Sequence, residues 1–309
     1  MKIRGVNVMK QYNRRFFLRS GIAIFCGYWA TAKYRTLAAE NVVSVSTAAE
    51  FMEAIAPNCT IEVNPGSYVL SDLVDRPVNE YARFNEVFDG EELVISGVEN
   101  LKIVGLGDRP PKILTSPRYA DVLSFVNCRN ITLENIESGH SPDLGSCTGS
   151  VLSFENCEGI DIDGCILFGS GMMGIDAKTT QNLTCKNTVI KECTYYILSL
   201  QDTKTIKFES CEFYNNQQYK MAIVRDSRDV EFDRCEFSNN RVVWDESWSS
   251  IDPDSYSFFV ISDSSPVILR QCRFEGNRAP YFVSDRDAIV LIDTEFADNN
   301  YFPEDVSQF

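Results

Sequence analysis

The feature that most restricts what this chain can fold into is a repeat of twenty-odd residues. Seven segments align: "ITLENIES" from Ile131, "IDIDGCILF" from Ile160, "LTCKNTVIK" from Leu183, "IKFESCEFY" from Ile206, "VEFDRCEFS" from Val230, "VILRQCRFE" from Val267 and "IVLIDTEFA" from Ile289. Their starts are 29, 23, 23, 24, 37 and 22 residues apart, so two intervals carry insertions. Most share apolar–x–apolar–x–x–Cys/Thr–x–apolar. That is strand alternation with a shift after the third residue. A second, weaker strand lies between them, with "VLSF" at Val122 and again at Val151, and "FFVI" in the same slot at Phe258. A unit this short with several strands cannot bury a face alone, so the units must stack.

Three columns of small or amide side chains repeat with the strands. One is Cys128, Cys157, Thr180, Thr203, Ser227 and Ser264, three residues before each strand start. Another is Cys165, Thr188, Cys211, Cys235, Cys272 and Thr294, five residues in, and a third is Asn216, Asn240, Asn277 and Asn299, ten residues in. Asparagine tolerates the left-handed conformation and bonds its own backbone, so the asparagine ladder is expected to form a repeated sharp corner. The chain has 11 cysteines. Cysteines stacked on adjacent coils stand about 4.8 Å apart with parallel side chains, whereas a disulfide needs converging Cβ atoms about 3.8 Å apart. Cys211 and Cys235 therefore read as small buried hydrophobes. Zinc is disfavoured, because no Cys-x-x-Cys occurs and His140 is the single histidine.

With these strands and ladders the chain resembles the right-handed parallel β-helix of the pectin lyase-like superfamily, over roughly residues 61–300. The fold class is all-β. "TAAEFMEAIA" supplies a Thr47…Glu50 capping box and an apolar stripe at Phe51, Met52 and Ile55, as for a short N-terminal helix plugging a solenoid end. "IEVNPGSYVL" is expected to hold the first strand, turning at Pro65-Gly66. The resemblance implies fold and not activity. Polygalacturonases carry Asn-Thr-Asp, Asp-Asp, Gly-His-Gly and Arg-Ile-Lys motifs; this chain keeps Gly139-His140 but has Ser141 in place of the second glycine, and lacks the other three. The Arg-x-Pro-x-x-Arg element of pectate lyases is also missing.

Residues 1–39 read as an export signal and 40–309 as one β-helix domain. "NRRFFLRSGIAIFCGYWATA" places Arg14-Arg15 before a short apolar run, as in a twin-arginine signal. The run is too short to span a bilayer, which takes about 20 residues. The expected location is periplasmic or extracellular, with no stable membrane insertion after processing. The signal holds eight basic residues and no acid, so its removal leaves 21 basic against 44 acidic residues, a net charge of −23. Such a surface repels nucleic acid and anionic lipid, and discourages strongly anionic polysaccharides.

The long insertions, 139–149 and 239–257, follow corresponding strands and should rise from one edge, four coils apart, or about 19 Å. Tyr195, Tyr196, Gln217, Gln218, Tyr219 and Lys220 would floor the space between them. The second insertion adds Trp244, Asp245, Glu246, Trp248, Asp252, Asp254 and Tyr256, and the first adds His140 and Asp143. Aromatic rings beside carboxylates on a rigid scaffold suit saccharide binding. A Ser141–His140–Asp143 triad is excluded, since adjacent residues cannot supply mutual nucleophile–base–orienter geometry. His140 falls at the turn position beside the asparagine ladder and is expected at an exposed corner.

A second set of candidates is the stacked outward carboxylates Asp161, Glu209, Glu231 and Asp233. They could serve as acid and base in polysaccharide hydrolysis or elimination, although interleaved lysines make ordinary ladder neutralisation the simpler account. The sequence requires no cofactor; calcium in the acidic insertion has no ligand motif behind it. The favoured expectation is an exported β-helix that binds a polysaccharide along its loop-lined edge. The alternatives are a polysaccharide hydrolase or lyase, and a structural or partner-binding envelope protein. Oligomeric state is left open.

Overall fold

Each repeat turns its corners by one backbone rule. In the coil around Ile160, the strand Ser150–Glu155 is followed by Asn156 at φ 54° and Cys157, then by the strand Glu158–Asp163. Gly164 at φ 60° and Cys165 then lead into the strand Ile166–Phe168. At each corner a left-handed residue bends the chain sharply and the small residue after it points inward; on entry to sheet A a second left-handed residue follows, Gly159 at φ 73° here. The computed structural model describes residues 41–73, 79–141, 149–169, 173–218, 220–243 and 256–301. The export segment with Arg14 and Arg15 lies outside the described residues.

Successive coils stack as parallel strands into a β-helix. Among the described residues, sheet A has ten strands, from Asn41–Val45 to Ile289–Ile292, sheets B and C have nine each, and sheet D has four strands of two residues. The aligned repeats are neighbours in sheet A at the expected register: Ile131 pairs with Ile160, Ile160 with Leu183, Leu183 with Ile206 and Ile206 with Val230. The "VLSF" segments pair in sheet C, Leu123 on Leu152. One antiparallel element interrupts the pattern, a hairpin of Ala82–Val87 with Gly90–Ser96.

The first strand lies earlier than the sequence suggests. Asn41–Val45 already pairs with Cys59–Val63, so the solenoid begins before the helix. The helix Ala48–Glu53 has the expected capping box: the Glu50 N–H donates to Thr47 Oγ1 at 3.2 Å, and the Glu50 carboxylate accepts from the Thr47 N–H. Phe51, Met52 and Ile55 are buried.

The asparagine ladder forms, but not as the left-handed corner itself. The left-handed residues are Asn215, Asn239, Gly276 and Asp298, each one position before a ladder asparagine, with Glu192 before Cys193 at the same level. The ladder asparagines turn inward. Asn240 Oδ1 accepts from the Asn216 backbone and side-chain amides at 3.1 and 2.9 Å, and Asn240 Nδ2 donates to Phe213 O at 2.8 Å and Asn277 Oδ1 at 3.0 Å. A buried amide satisfies donors and acceptors on two adjacent coils at once. The column starting at Cys128 works likewise: the Cys157 N–H donates to Thr180 Oγ1 and the Ser227 N–H to Ser264 Oγ. The nine described cysteines outside the signal are buried free thiols, Cys211 and Cys235 among them.

Phenylalanines fill the interior of the later coils. Phe213, Phe237 and Phe274 occupy matching positions of sheet B, with ring centroids 4.6 and 4.5 Å apart and nearly parallel planes. Offset stacks of this kind add to the burial term.

The two asparagine positions should separate in a stability measurement. Asn240→Ala strands the Asn216 N–H and the Phe213 carbonyl in the interior and is expected to cost about 3 kcal/mol or more. Asn215→Ala only forces alanine into the left-handed region, a cost of about 1–2 kcal/mol. Urea unfolding midpoints of the two variants check the order.

Candidate functional site

The connection from sheet B, through sheet D where present, to sheet C absorbs the insertions. The first leaves at the end of Glu137–His140 and rejoins at Ser150–Glu155; the second leaves after Arg241–Val242 and rejoins at Ser257–Ser262. Their rejoining strands are four places apart in sheet C, separated by Met173–Lys178, Tyr196–Gln201 and Ala222–Arg225. Both insertions therefore spring from one edge about 19 Å apart. Asp143, Tyr219, Trp244, Asp245 and Trp248 lie outside the described residues. Between the two exits stand Tyr195, Tyr196 and Lys220, all half-buried, and Tyr256 lies at the return of the second insertion. The rings of Tyr195 and Tyr196 meet edge-on at 4.5 Å. Burial first, and then Tyr195, pushes the Tyr196 phenol above its ordinary pKa.

His140 departs from expectation. Its register is as anticipated: Gly139 pairs with Phe168, which places His140 level with Gly169, and later coils hold Glu192 and Asn215 at that level. The conformation differs, because the strand continues through His140, which pairs with Thr115, and no left-handed corner forms there. The ring is buried, 2 % exposed, and not at a solvated corner. Its Nε2 donates to Ala120 O at 2.8 Å, and Nδ1 is buried without a hydrogen-bond partner. Burial is the main reason its pKa lies below the ordinary histidine value, only partly opposed by the Ala120 bond and by Asp89. His140 is a neutral strut beneath the 116–122 loop. Gly149 rests on the same loop: a Cβ there would stand 1.9 Å from Ala120 O.

The stacked carboxylates occupy sheet A, away from this edge. Asp161 aligns with Thr184, Lys207 and Glu231, and Asp163 with Lys186, Glu209 and Asp233. Each is matched by a base: Asp161 with Lys186 at 3.8 Å, Glu231 with Arg270 at 3.0 Å, and Glu209 and Asp233 jointly with Lys207 and Arg234. Asp233 is buried under these bases rather than half-exposed. At Glu209 desolvation acts upward but is outweighed by Lys207, Arg234 and Lys186, so its pKa lies below the usual carboxylate value. The structure does not bring these four acids together with the edge aromatics.

A different carboxylate does sit on the edge. Asp121, one residue before the first "VLSF", accepts the Ser150 N–H at 2.7 Å, while its own N–H donates to Glu92 at 3.1 Å. Desolvation raises its pKa to about 7; the Ser150 and Ser153 hydrogen bonds act against this, and Glu92 and Asp176 add to it. Asp176 lies in register with Ser153 and its pKa is also raised, chiefly by burial. The signal for Asp121 was present in the sequence, an acid at the mouth of a twice-repeated buried strand. Among the described residues, no group of three or more histidine, cysteine or acidic side chains is arranged to hold a metal ion. No helix among them is long and apolar enough to cross a membrane.

Solved structures share the fold at low identity. A pectate lyase from Paenibacillus sp. 0602 superposes with a TM-score of 0.53 at 13% identity, covering 85% of this chain and 79% of its own. A pectate lyase from Bacillus sp. N165, in complex with trigalacturonate, gives 0.49 at 14% identity over 88% and 85%. A pectin methylesterase from Aspergillus niger gives 0.46 at 11% over 87% and 88%. No match was found among curated proteins. The model of the right-handed beta helix region matches residues 123–302, more than half of the sequence. With the parallel sheets, the corner ladders and this match in agreement, the chain belongs to the right-handed β-helix family.

Proposed function

We propose that this is an exported β-helix protein that binds a neutral or weakly charged polysaccharide along the edge between sheets B and C. The observation that carries the reading is the shared origin of both insertions at that edge, with Tyr195, Tyr196 and Lys220 in the interval. Extended saccharides suit a straight, rigid, repetitive edge, and aromatic rings provide flat apolar contact with polar rims. The fold is that of a pectate lyase. The reading extends that enzyme's broad ligand class to this chain but not its chemistry, because the acidic surface disfavours polyuronates. Retardation in gels cast with neutral polysaccharides is expected, and Trp244→Ala with Trp248→Ala should weaken it at least several-fold. An unretarded chain, or one indifferent to both substitutions, counts against the reading.

Export rests on Arg14-Arg15 and the apolar run behind them. Arg14→Lys with Arg15→Lys should leave the full-length chain in the cytoplasmic fraction, where the parent is found processed outside it.

Asp121 favours a second reading, glycoside hydrolysis at the same edge. A carboxyl that holds its proton to about pH 7 can donate it to a leaving oxygen. The same shift makes a stability prediction. Between the ordinary aspartate pKa and about 7 the folded state holds a proton that the unfolded state has lost, so stability falls as pH rises through that window. Asp121→Asn removes this term. Thermal melts should show the variant gaining on the parent at pH 8 and matching it near pH 4. Release of reducing ends by the parent and not by the variant would place catalysis there; no release from a polysaccharide panel removes the second reading.

A further inference from the structure

The first described coils carry a second feature on the same edge. The hairpin of sheet C turns at Phe88 and Asp89, and Phe88 is 86 % exposed, the most exposed large apolar side chain among the described residues. Its ring lies 5.0 Å from that of Tyr119, itself 38 % exposed, on the loop that precedes the next strand of sheet C. The pair is held in place from beneath. Asp89 accepts the N–H groups of Arg118 at 2.7 Å and Tyr119 at 3.1 Å, tying loop to hairpin tip. Gly90 packs so closely that a Cβ there would stand 2.4 Å from Pro117 Cγ. Beside the rings opens a cleft of about 360 Å³, lined by Ser71, Asp72, Asp89, Gly90, Glu91, Ser116 and Pro117. Ser116 reaches the first insertion through Ser141, Oγ to Oγ at 3.0 Å.

We infer that Phe88, Tyr119 and this cleft form a saccharide subsite, which receives an uncharged sugar unit at the N-terminal end of the edge. The inference rests on the polysaccharide reading above and extends it to residues outside both insertions. Two adjoining exposed rings offer the apolar face that a pyranose covers. The carboxylates and hydroxyls around the cleft supply acceptors and donors for sugar hydroxyls. Asp72, Asp89 and Glu91 repel a uronate and leave a neutral unit as the fitting occupant. The backbone bonds to Asp89 fix the ring pair before ligand arrives, so little ordering cost falls on binding. Asp89 is thus a positioning residue, while Phe88 and Tyr119 make the contact.

Affinity electrophoresis through gels of arabinoxylan, galactomannan and hydroxyethylcellulose tests this, with polygalacturonate as the anionic comparison. Phe88→Ala and Tyr119→Ala should each lower retardation on the retarding neutral gel about five-fold or more, with unchanged melting temperatures, and their double variant little further than the stronger single. Asp89→Ala should lower it as well, and Asp89→Asn, which keeps one acceptor for the loop, should recover part of the loss. Retardation unchanged in both ring variants but lost in Trp244→Ala with Trp248→Ala overturns the subsite and leaves the edge reading standing. Retardation of the parent on polygalacturonate alone overturns the assignment of an uncharged unit. No retardation of the parent on any gel overturns the edge reading and the subsite with it.

Discussion

The structure depends on how its corners dispose of backbone N–H groups. A corner of one left-handed residue exposes the next N–H to the interior, where it must find a partner or cost about 1–3 kcal/mol. Here the partner is a side chain from the next coil, placed one repeat later by the same corner: Thr180 under Cys157, Thr188 under Cys165, and Asn216, Asn240, Asn277 and Asn299 in succession. Each coil is thereby completed by its successor. Stability of this kind is built from nearest-neighbour terms, and it fixes the repeat length wherever a ladder passes.

That constraint explains where length variation is permitted. The corners leading into sheet A keep a left-handed residue followed by a small one from Asn127-Cys128 to Asp263-Ser264, and those from A into sheet B do so from Gly164-Cys165 in the coil of Ile160 to Gln271-Cys272 in that of Val267. An added residue there would break the ladder on both sides. The connection from sheet B to sheet C carries a ladder only where it leaves sheet B in the later coils, at Asn216, Asn240, Asn277 and Asn299. The hairpin, the 116–122 loop and both insertions fall outside that corner, on the remainder of the way to sheet C. The position of the insertions follows from the geometry of the laddered corners.

The repeated part of this design was legible in the sequence. Strand registers in sheet A, the inward ladder columns and the shared edge of the insertions follow from spacing alone, because stacking permits one register. What escaped were departures from the repeat. Asn41–Val45 lacks the repeat pattern and was not assigned to the sheet. Asparagine's tolerance of the left-handed conformation points to the ladder residues as the corner, yet that conformation falls on Asn215 and Asn239, since the inward amide is the scarcer requirement. His140 holds the aligned position of Glu192 and Asn215, but its coil keeps the strand extended, and alignment cannot register a corner that is not made. Phe88 and Tyr119 meet through a hairpin that precedes the aligned repeats, so no column of the alignment contains them.

Two ways of managing stacked acids coexist on this scaffold, and they differ in what they leave available. On sheet A the acids sit about 4.8 Å apart per coil, and bases one rung away neutralise them, Lys207 and Arg234 against Glu209 and Asp233. The bases Lys207 and Arg234 bridge the two acids and hold the Glu209 carboxyl below the usual carboxylate pKa. At the mouth of sheet C, Asp121 is governed by burial, with Glu92 and Asp176 acting in the same direction and the Ser150 and Ser153 hydrogen bonds against it. Burial favours the protonated carboxyl, so Asp121 stays neutral over a range where Glu209 is charged. A retained proton can be donated, whereas a carboxylate in an ion pair has none to give. The edge that tolerates insertions is thus also the edge whose acidity is not spent within the protein.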